Sequence, residues 1–153
     1  MKIEMPKACA DILQRFHENG YEACLVGGCV RDTLLGKKPL DWDICTEALP
    51  KETIKLFQED KVILTGLKHG TVTILKHKLP VEVTTYRIDG EYLDNRRPKE
   101  VFFTKNLIED LSRRDFTINA MAYNDQTGLI DYFGGLDDLH NGLIRAVGDA
   151  SQR

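Results

Sequence analysis

The sequence predicts one mixed α/β domain of the α+β kind, a mixed sheet with at least one antiparallel hairpin, backed by helices. Three observations predict it. Short apolar runs alternate with stretches of helical spacing along the chain. Two alternating runs, Thr71 to Leu75 and Val81 to Thr85, are joined by Lys76-His77-Lys78-Leu79-Pro80, which reads as a hairpin. No repeat, low-complexity tract or linker divides the 153 residues, a length suited to one domain with its own core.

Taken in order, Ile3 to Asn19 is expected to be an amphipathic helix, with Ala8, Ile12, Leu13 and Phe16 on one side and Asn19-Gly20 as its stop. Ala23 to Val26 is a short apolar strand ending at Gly27-Gly28, and Val30 to Leu35 returns to helical spacing before Gly36. Trp42 to Thr46 is a second strand. Pro50 suits the first turn of a helix running through Phe57. After the hairpin, Ile88 to Lys99 is polar and rich in breakers and reads as a mobile surface loop. Asn106 to Arg113 and Phe116 to Tyr123 are expected to be helical, and Leu129 to Asp131 and Leu143 to Arg145 to be short strands.

Composition excludes several classes. A hydrophobic fraction of 42% and a charged fraction of 29% are those of an ordinary soluble domain. No run approaches the roughly 18 apolar residues of a membrane span. Met1 to Pro6 holds no apolar signal core, so a cytoplasmic protein is expected, with no membrane partner. Cys9, Cys24, Cys29 and Cys45 have neither paired nor zinc-type spacing and are expected to be buried reduced thiols. A net charge of −3 argues against a strongly basic nucleic-acid binder, while leaving room for a local RNA-gripping patch.

Three segments carry chemistry. In Leu25-Val26-Gly27-Gly28-Cys29-Val30-Arg31-Asp32, two glycines between strand and helix let backbone N–H groups approach an anion, with Arg31 placed to fork onto phosphate oxygens. A structural turn is the plain alternative. In Asp41-Trp42-Asp43 the two carboxylates share one side of a strand, and they repel unless a cation joins them. Mg²⁺ suits such oxygen ligands, whereas a solvated strand end is the alternative. Glu82, between two valines, supplies a third acid. Three acids on adjacent strands can hold two metals roughly 3.5–4 Å apart, the arrangement that activates a hydroxyl and stabilises a leaving pyrophosphate. In Arg113-Arg114-Asp115-Phe116-Thr117-Ile118-Asn119, the groups of Arg114, Asp115 and Asn119 suit a triphosphate and a ribose hydroxyl. Capping of a helix by Asp115 or Thr117 competes with that role.

With these residues in hand, the chain resembles the bacterial class II tRNA nucleotidyltransferase and poly(A) polymerase family. The first signature is Gly27-Gly28-Cys29-Val30-Arg31-Asp32-Thr33-Leu34-Leu35-Gly36 continuing to Asp41-Trp42-Asp43-Ile44-Cys45-Thr46, and the second is Arg113-Arg114-Asp115-Phe116-Thr117-Ile118-Asn119-Ala120-Met121. The resemblance implies a polymerase-beta-type nucleotidyltransferase head. It implies Asp41 and Asp43 as ligands of catalytic Mg²⁺ and Glu82 as a third, less indispensable carboxylate. Gly27, Gly28 and Arg31 would hold the triphosphate, and Arg114, Asp115 and Asn119 the nucleotide, with Arg114 and Asp115 near its ribose. ATP and CTP would be the donors and the tRNA 3′ end the acceptor. Asp89 to Pro98 looks like the family's flexible loop, whose presence favours CCA or A addition over CC addition.

The family's Glu-Asp-x-x-Arg motif, which pairs with the base edge, would follow the segment Ile144 to Ala150 and does not occur before Arg153. Residues 1–153 therefore read as an isolated catalytic head without neck, body or tail, weakly active or inactive by itself, or as a fragment completed by another chain. A poly(A) polymerase head and a CC-adding or A-adding head are the alternatives within the same chemistry. A catalytically silent nucleotide-binding module competes from another class, as does a purely structural scaffold. The intact Asp41, Asp43 and Arg31 count against the first, and the clustered acids and paired arginines against the second.

Overall fold

The computed structural model describes residues 2–89 and 101–148. The first helix, α1, spans Lys7–Glu18 and buries Ala8, Cys9, Ile12, Leu13 and Phe16, the stripe that its spacing foretold. It starts at Lys7 rather than Ile3 because Pro6 is extended (φ −59°, ψ 150°) and fills the N-cap position. Phe16 packs edge-on against Phe57, with ring centroids 5.2 Å apart. Strand β1 (Ala23–Val26) leads through Gly27 into α2 (Gly28–Leu34). Strand β2 is Trp42–Thr46 and helix α3 is Pro50–Leu56, both close to expectation.

Strand β3, Lys61–Gly66, was not foreseen, nor was the 3₁₀ turn Leu67–His69 that follows it. Its residues alternate poorly because Lys61, Ile63, Leu64 and Thr65 are all exposed on an edge strand. Strands β4 (Thr71–Lys76) and β5 (Leu79–Thr85) form the expected hairpin. The connection is tighter than the sequence suggested. Only His77 and Lys78 turn the chain, both at positive φ (49° and 68°), as a two-residue hairpin turn of the twist-matched kind requires. Strand β6 is Arg87–Asp89 and β7 is Val101–Phe103, paired antiparallel. Ile88 and Asp89, assigned to a loop from sequence, thus lie in β6; the rest of that expected loop falls outside the described residues.

Helix α4 spans Leu107–Ser112, with the Asn106 side chain accepting the Glu109 N–H at its start. The predicted helix Phe116 to Tyr123 is not there. Thr117–Asn119 makes a 3₁₀ turn, and Ala122–Asn124 becomes strand β8, pairing with β1 through Leu25↔Tyr123 and Val26↔Ala122. Residues Ala120 to Asn124 are all buried, and an apolar run buried on both sides has no period that separates strand from helix. Strand β9 is Gly128–Ile130, and helix α5, Gly135–His140, was not expected. Leu143 to Arg145 is not a strand. It leads into a lone bridge, Phe116↔Ala146, leaving Leu143 and Ile144 exposed.

Among the described residues the main sheet has seven strands in the order β3-β4-β5-β2-β1-β8-β9, and only β2 and β5 run parallel. Side chains alternate across it. Leu25, Ile44, Val72, Ile74, Val81 and Val83 share a core with Phe16 and Phe57. Cys24, Val26 and Cys45 belong to a second, smaller core with Tyr86, Leu111 and Ala120. All four cysteines are free and buried, as their spacing implied. Among the described residues no helix is long and apolar enough to cross a membrane.

Candidate active site

The glycine turn at the end of β1 is built as the sequence required. Gly27 sits at φ 80°, a left-handed conformation that strains any residue with a Cβ. A Cβ on Gly28 would stand 3.2 Å from Arg31 Nη2, and one on Gly27 would stand 3.7 Å from Arg114 Nη1. Two guanidiniums therefore lie over the bare backbone of this turn. Arg31 Nε donates to Asp32 Oδ1 at 3.0 Å and its Nη1 donates to Asn119 Oδ1 at 2.7 Å. Arg31 and the two glycines, expected at the triphosphate, are joined here by Asn119, which was expected with Arg114 and Asp115 at the nucleotide.

Asn119 is held from behind. The Thr117 hydroxyl donates to the buried Asp138 carboxylate, which Arg145 also reaches at 3.1 Å. Gly135 leaves room where a Cβ would collide with the Thr117 carbonyl. The 3₁₀ turn bearing Asn119 is thus clamped onto α5.

Asp43 and Glu82 are direct register partners on the parallel strands β2 and β5. Val81 and Val83 are buried while Glu82 is exposed on the opposite face, which explains a glutamate between two valines. Asp43 is half-buried, and its Oδ1 is buried without a hydrogen-bond partner. Its carboxyl is pushed up to about 7, chiefly by burial, then by the adjoining Glu82 carboxyl; Arg114 opposes the shift and Asp41 adds a smaller push. A buried oxygen without a donor beside a second carboxyl calls for a proton or a cation, so these residues fit a divalent metal. Asp41 lies just before β2 and is exposed. Among the described residues no three His, Cys, Asp or Glu side chains converge on one ion, so the three acids form no closed cage. An open site leaves room for water and substrate phosphates in a divalent ion's shell.

Arg114, just past α4, reaches Asp110 Oδ2 at 3.3 Å through Nη2, and its Nε is buried without a hydrogen-bond partner. Asp110 is 1% exposed at its side chain; it also faces Arg113 Nε at 3.5 Å and accepts the backbone N–H of Arg87 at 2.9 Å. The sequence analysis passed over Asp110, although its spacing of three and four residues from the two arginines was a usable signal. Asp115 stands apart. Its carbonyl accepts the Val147 N–H at 3.0 Å and its side chain is exposed. It caps no helix, since none begins there.

A cavity of about 400 Å³ opens beside the carboxylates, lined by Asp43 and Glu82 together with Val26, His69, Arg87, Arg113 and Arg114. A larger cavity of about 850 Å³ lies toward the other end of β1, near Tyr21, Cys24, Leu107 and Asn124, and none of the expected site residues lines it.

A glycine phosphate turn, paired carboxylates on neighbouring strands and arginines over both are the layout of a nucleotidyltransferase head. The sequence matches the family described as the poly A polymerase head domain over residues 23–145, and the chain belongs to that family. Among its relatives, the CCA-adding enzyme of Oceanobacillus iheyensis is 54% identical across 93% of this chain and 35% of its own length. That of Leuconostoc mesenteroides is 47% identical across 100% of this chain and 39% of its own length. The crystal structure of the Bacillus stearothermophilus CCA-adding enzyme in complex with CTP superposes with a TM-score of 0.85 at 41% identity, covering 98% of this chain and 36% of that one. The chain thus spans little more than a third of the length of these relatives.

Proposed function

We propose that residues 1–153 are the catalytic head of a cytoplasmic tRNA nucleotidyltransferase that adds CMP, CMP and AMP to tRNA 3′ ends from CTP and ATP. The observation that carries this reading is the in-register pairing of Asp43 with Glu82, one strand away from the glycine turn. That adjacency supports reading the acids as a cation site beside a phosphate cradle. In this reading Asp41 and Asp43 hold Mg²⁺, with Glu82 as the third carboxylate. Mg²⁺ supplies Lewis-acid polarisation of the α-phosphate and eases deprotonation of the attacking hydroxyl.

The remaining work falls to the chain's own groups. Gly27 and Gly28 offer backbone to the triphosphate, and Arg31, held by Asp32 and Asn119, keeps Nη2 nearest the turn for the phosphate oxygens. The RNA 3′-hydroxyl attacks the α-phosphate, the bond to the β-phosphate breaks, and pyrophosphate leaves into the cradle. Arg114 takes up charge beside Asp43, Asp115 faces the ribose, and the amide nitrogen of Asn119 serves the nucleotide. Choice of base and grip on the tRNA belong in this reading to the further length that the relatives possess.

The family's description favours one second reading, poly(A) addition. Sequencing the products made by the protein at its full natural length, on a tRNA lacking its 3′ end and supplied with ATP and CTP, separates the two. Cytidine-cytidine-adenosine ends are expected. Runs of adenosine would replace the proposal with the second reading, and CC alone or A alone would narrow it.

A further inference from the structure

The site has two flanks, and the nucleotide accounts for one of them. Asp43 lies on β2, which has β1 on one side and β5 on the other. The cradle of Gly27, Gly28, Arg31 and Asn119 lies on the β1 side, at the end of that strand and on the turn preceding β8. The 400 Å³ cavity reaches from Val26 and Arg114 on that flank past Asp43 to the opposite side, where Glu82 of β5, Thr71 of β4 and Gly66 of β3 line it. In an in-line displacement the attacking and leaving oxygens stand on opposite sides of the phosphorus. If pyrophosphate leaves into the β1-side cradle, the incoming RNA end must approach from the β5 side.

That side is equipped for an anion. Arg87 lines the cavity, and its Nε is buried without a hydrogen-bond partner. Its backbone N–H is fixed by Asp110 at 2.9 Å, and Nη1 donates to the His69 carbonyl at 3.3 Å, so the guanidinium is anchored at one end and unspent at the other. The hydroxyls of Thr71 and Thr84, also on the cavity wall, are engaged with each other at 2.8 Å. A cationic fork with a buried N–H unused, lining the same cavity as two carboxylates, suits a phosphodiester more than a carboxylate-bearing or neutral group.

We infer that Arg87 binds the last phosphodiester of the RNA acceptor and so aims its 3′-hydroxyl at the α-phosphate. This rests on the nucleotidyl-transfer reading above. It gives Arg87 a role that the nucleotide contacts do not supply, on the β5 flank of the carboxylates.

The test uses the protein at its full natural length with two acceptor RNAs, one natural and one carrying an uncharged methylphosphonate at its last linkage. The wild type should lose ten-fold or more in kcat/KM on the methylphosphonate RNA. Arg87→Ala should lose a similar factor on natural RNA through a raised acceptor KM, with the KM for nucleotide within two-fold of wild type. It should then be indifferent to the methylphosphonate. Its acceptor KM should also depend less on salt, the logarithmic slope falling by about 0.7, one phosphate contact's share on a single strand. Arg87→Lys, which keeps the charge, should recover part of the loss and guards against a variant that merely folds poorly. Equal sensitivity of wild type and Arg87→Ala to the methylphosphonate would overturn the inference, as would a rise in nucleotide KM alone. A wild type that extends neither RNA would overturn the reaction itself, and this role with it.

Discussion

Asp115 stands outside the network that ties Arg31 to Asn119 and Arg114 to Asp110, and its carboxylate faces solvent. Among the described residues no side chain holds it, which leaves it available to a ligand. If it pairs with the ribose 2′-hydroxyl, removing it leaves that hydroxyl unread. Asp115→Ala should lower discrimination between ATP and dATP by roughly ten- to a hundred-fold, the worth of one hydrogen bond to a charged group. Incorporation rates for both nucleotides measure this, and unchanged discrimination would place the ribose contact elsewhere. The cysteines make the opposite case. Burial pushes the Cys9 thiol up to about 12 and Cys24 up to about 11, and raises Cys29 and Cys45 as well. A raised thiol pKa disfavours the thiolate, so native thiols should stay inert to Ellman's reagent at pH 8 and react only as the pH climbs well beyond it. The denatured chain, with ordinary thiols near pH 8.5, should release all four at once. Rapid reaction of the native chain at pH 8 would contradict the burial described.

At the scale of elements, α4 matters less for its own six residues than for what Asp110 gathers. This buried carboxylate holds the guanidiniums of Arg113 and Arg114 and the start of β6. Removing one partner of a buried ionic cluster leaves the others uncompensated. Asp110→Ala should therefore cost about 3–5 kcal/mol in stability. It should also weaken nucleotide binding through a loosened Arg114, although Asp110 itself touches no substrate. Denaturant unfolding and nucleotide titration at a temperature where the variant is folded check the two parts. Wild-type stability in Asp110→Ala would show that water or rearranged side chains replace the cluster. Elements differed in how openly the sequence declared them. Strands β1 and β2, the β4–β5 hairpin and α4 were legible because apolar runs ended at glycine, proline or a capping asparagine. Residues 116–123 misled because Ala120 to Asn124 are buried on both faces, so tertiary pairing with β1 decided a stretch that periodicity could not. Helix α5 went unseen because it opens on Gly134-Gly135, a pair that reads as a breaker, and carries only Leu136 and Leu139 as large apolar residues.

For the whole molecule, residue types were readable from local spacing, whereas their meeting was foreseen only through the family resemblance. The glycine turn, Arg31, Asp41, Asp43, Glu82, Arg114, Asp115 and Asn119 were each named from local spacing or from resemblance. The adjacency of Asp43 and Glu82 depends on the parallel pairing of β2 with β5, which no local pattern encodes, because the chain passes through α3, β3 and β4 between them. Arg87 and His69 were missed for the same reason, since they reach the cavity only through that strand order. Metal-assisted nucleotidyl transfer at the β2–β5 junction is tested most directly by labelled AMP incorporation from ATP into RNA. The measurement compares the wild type with Asp41→Ala and Asp43→Ala at full natural length, with Mg²⁺ and with Mg²⁺ chelated, while circular dichroism follows the fold. Both variants should keep the fold and lose incorporation by orders of magnitude, and the wild type should fall silent without the metal. Near-normal incorporation by a folded Asp43→Ala variant, or by the wild type without divalent metal, would contradict it.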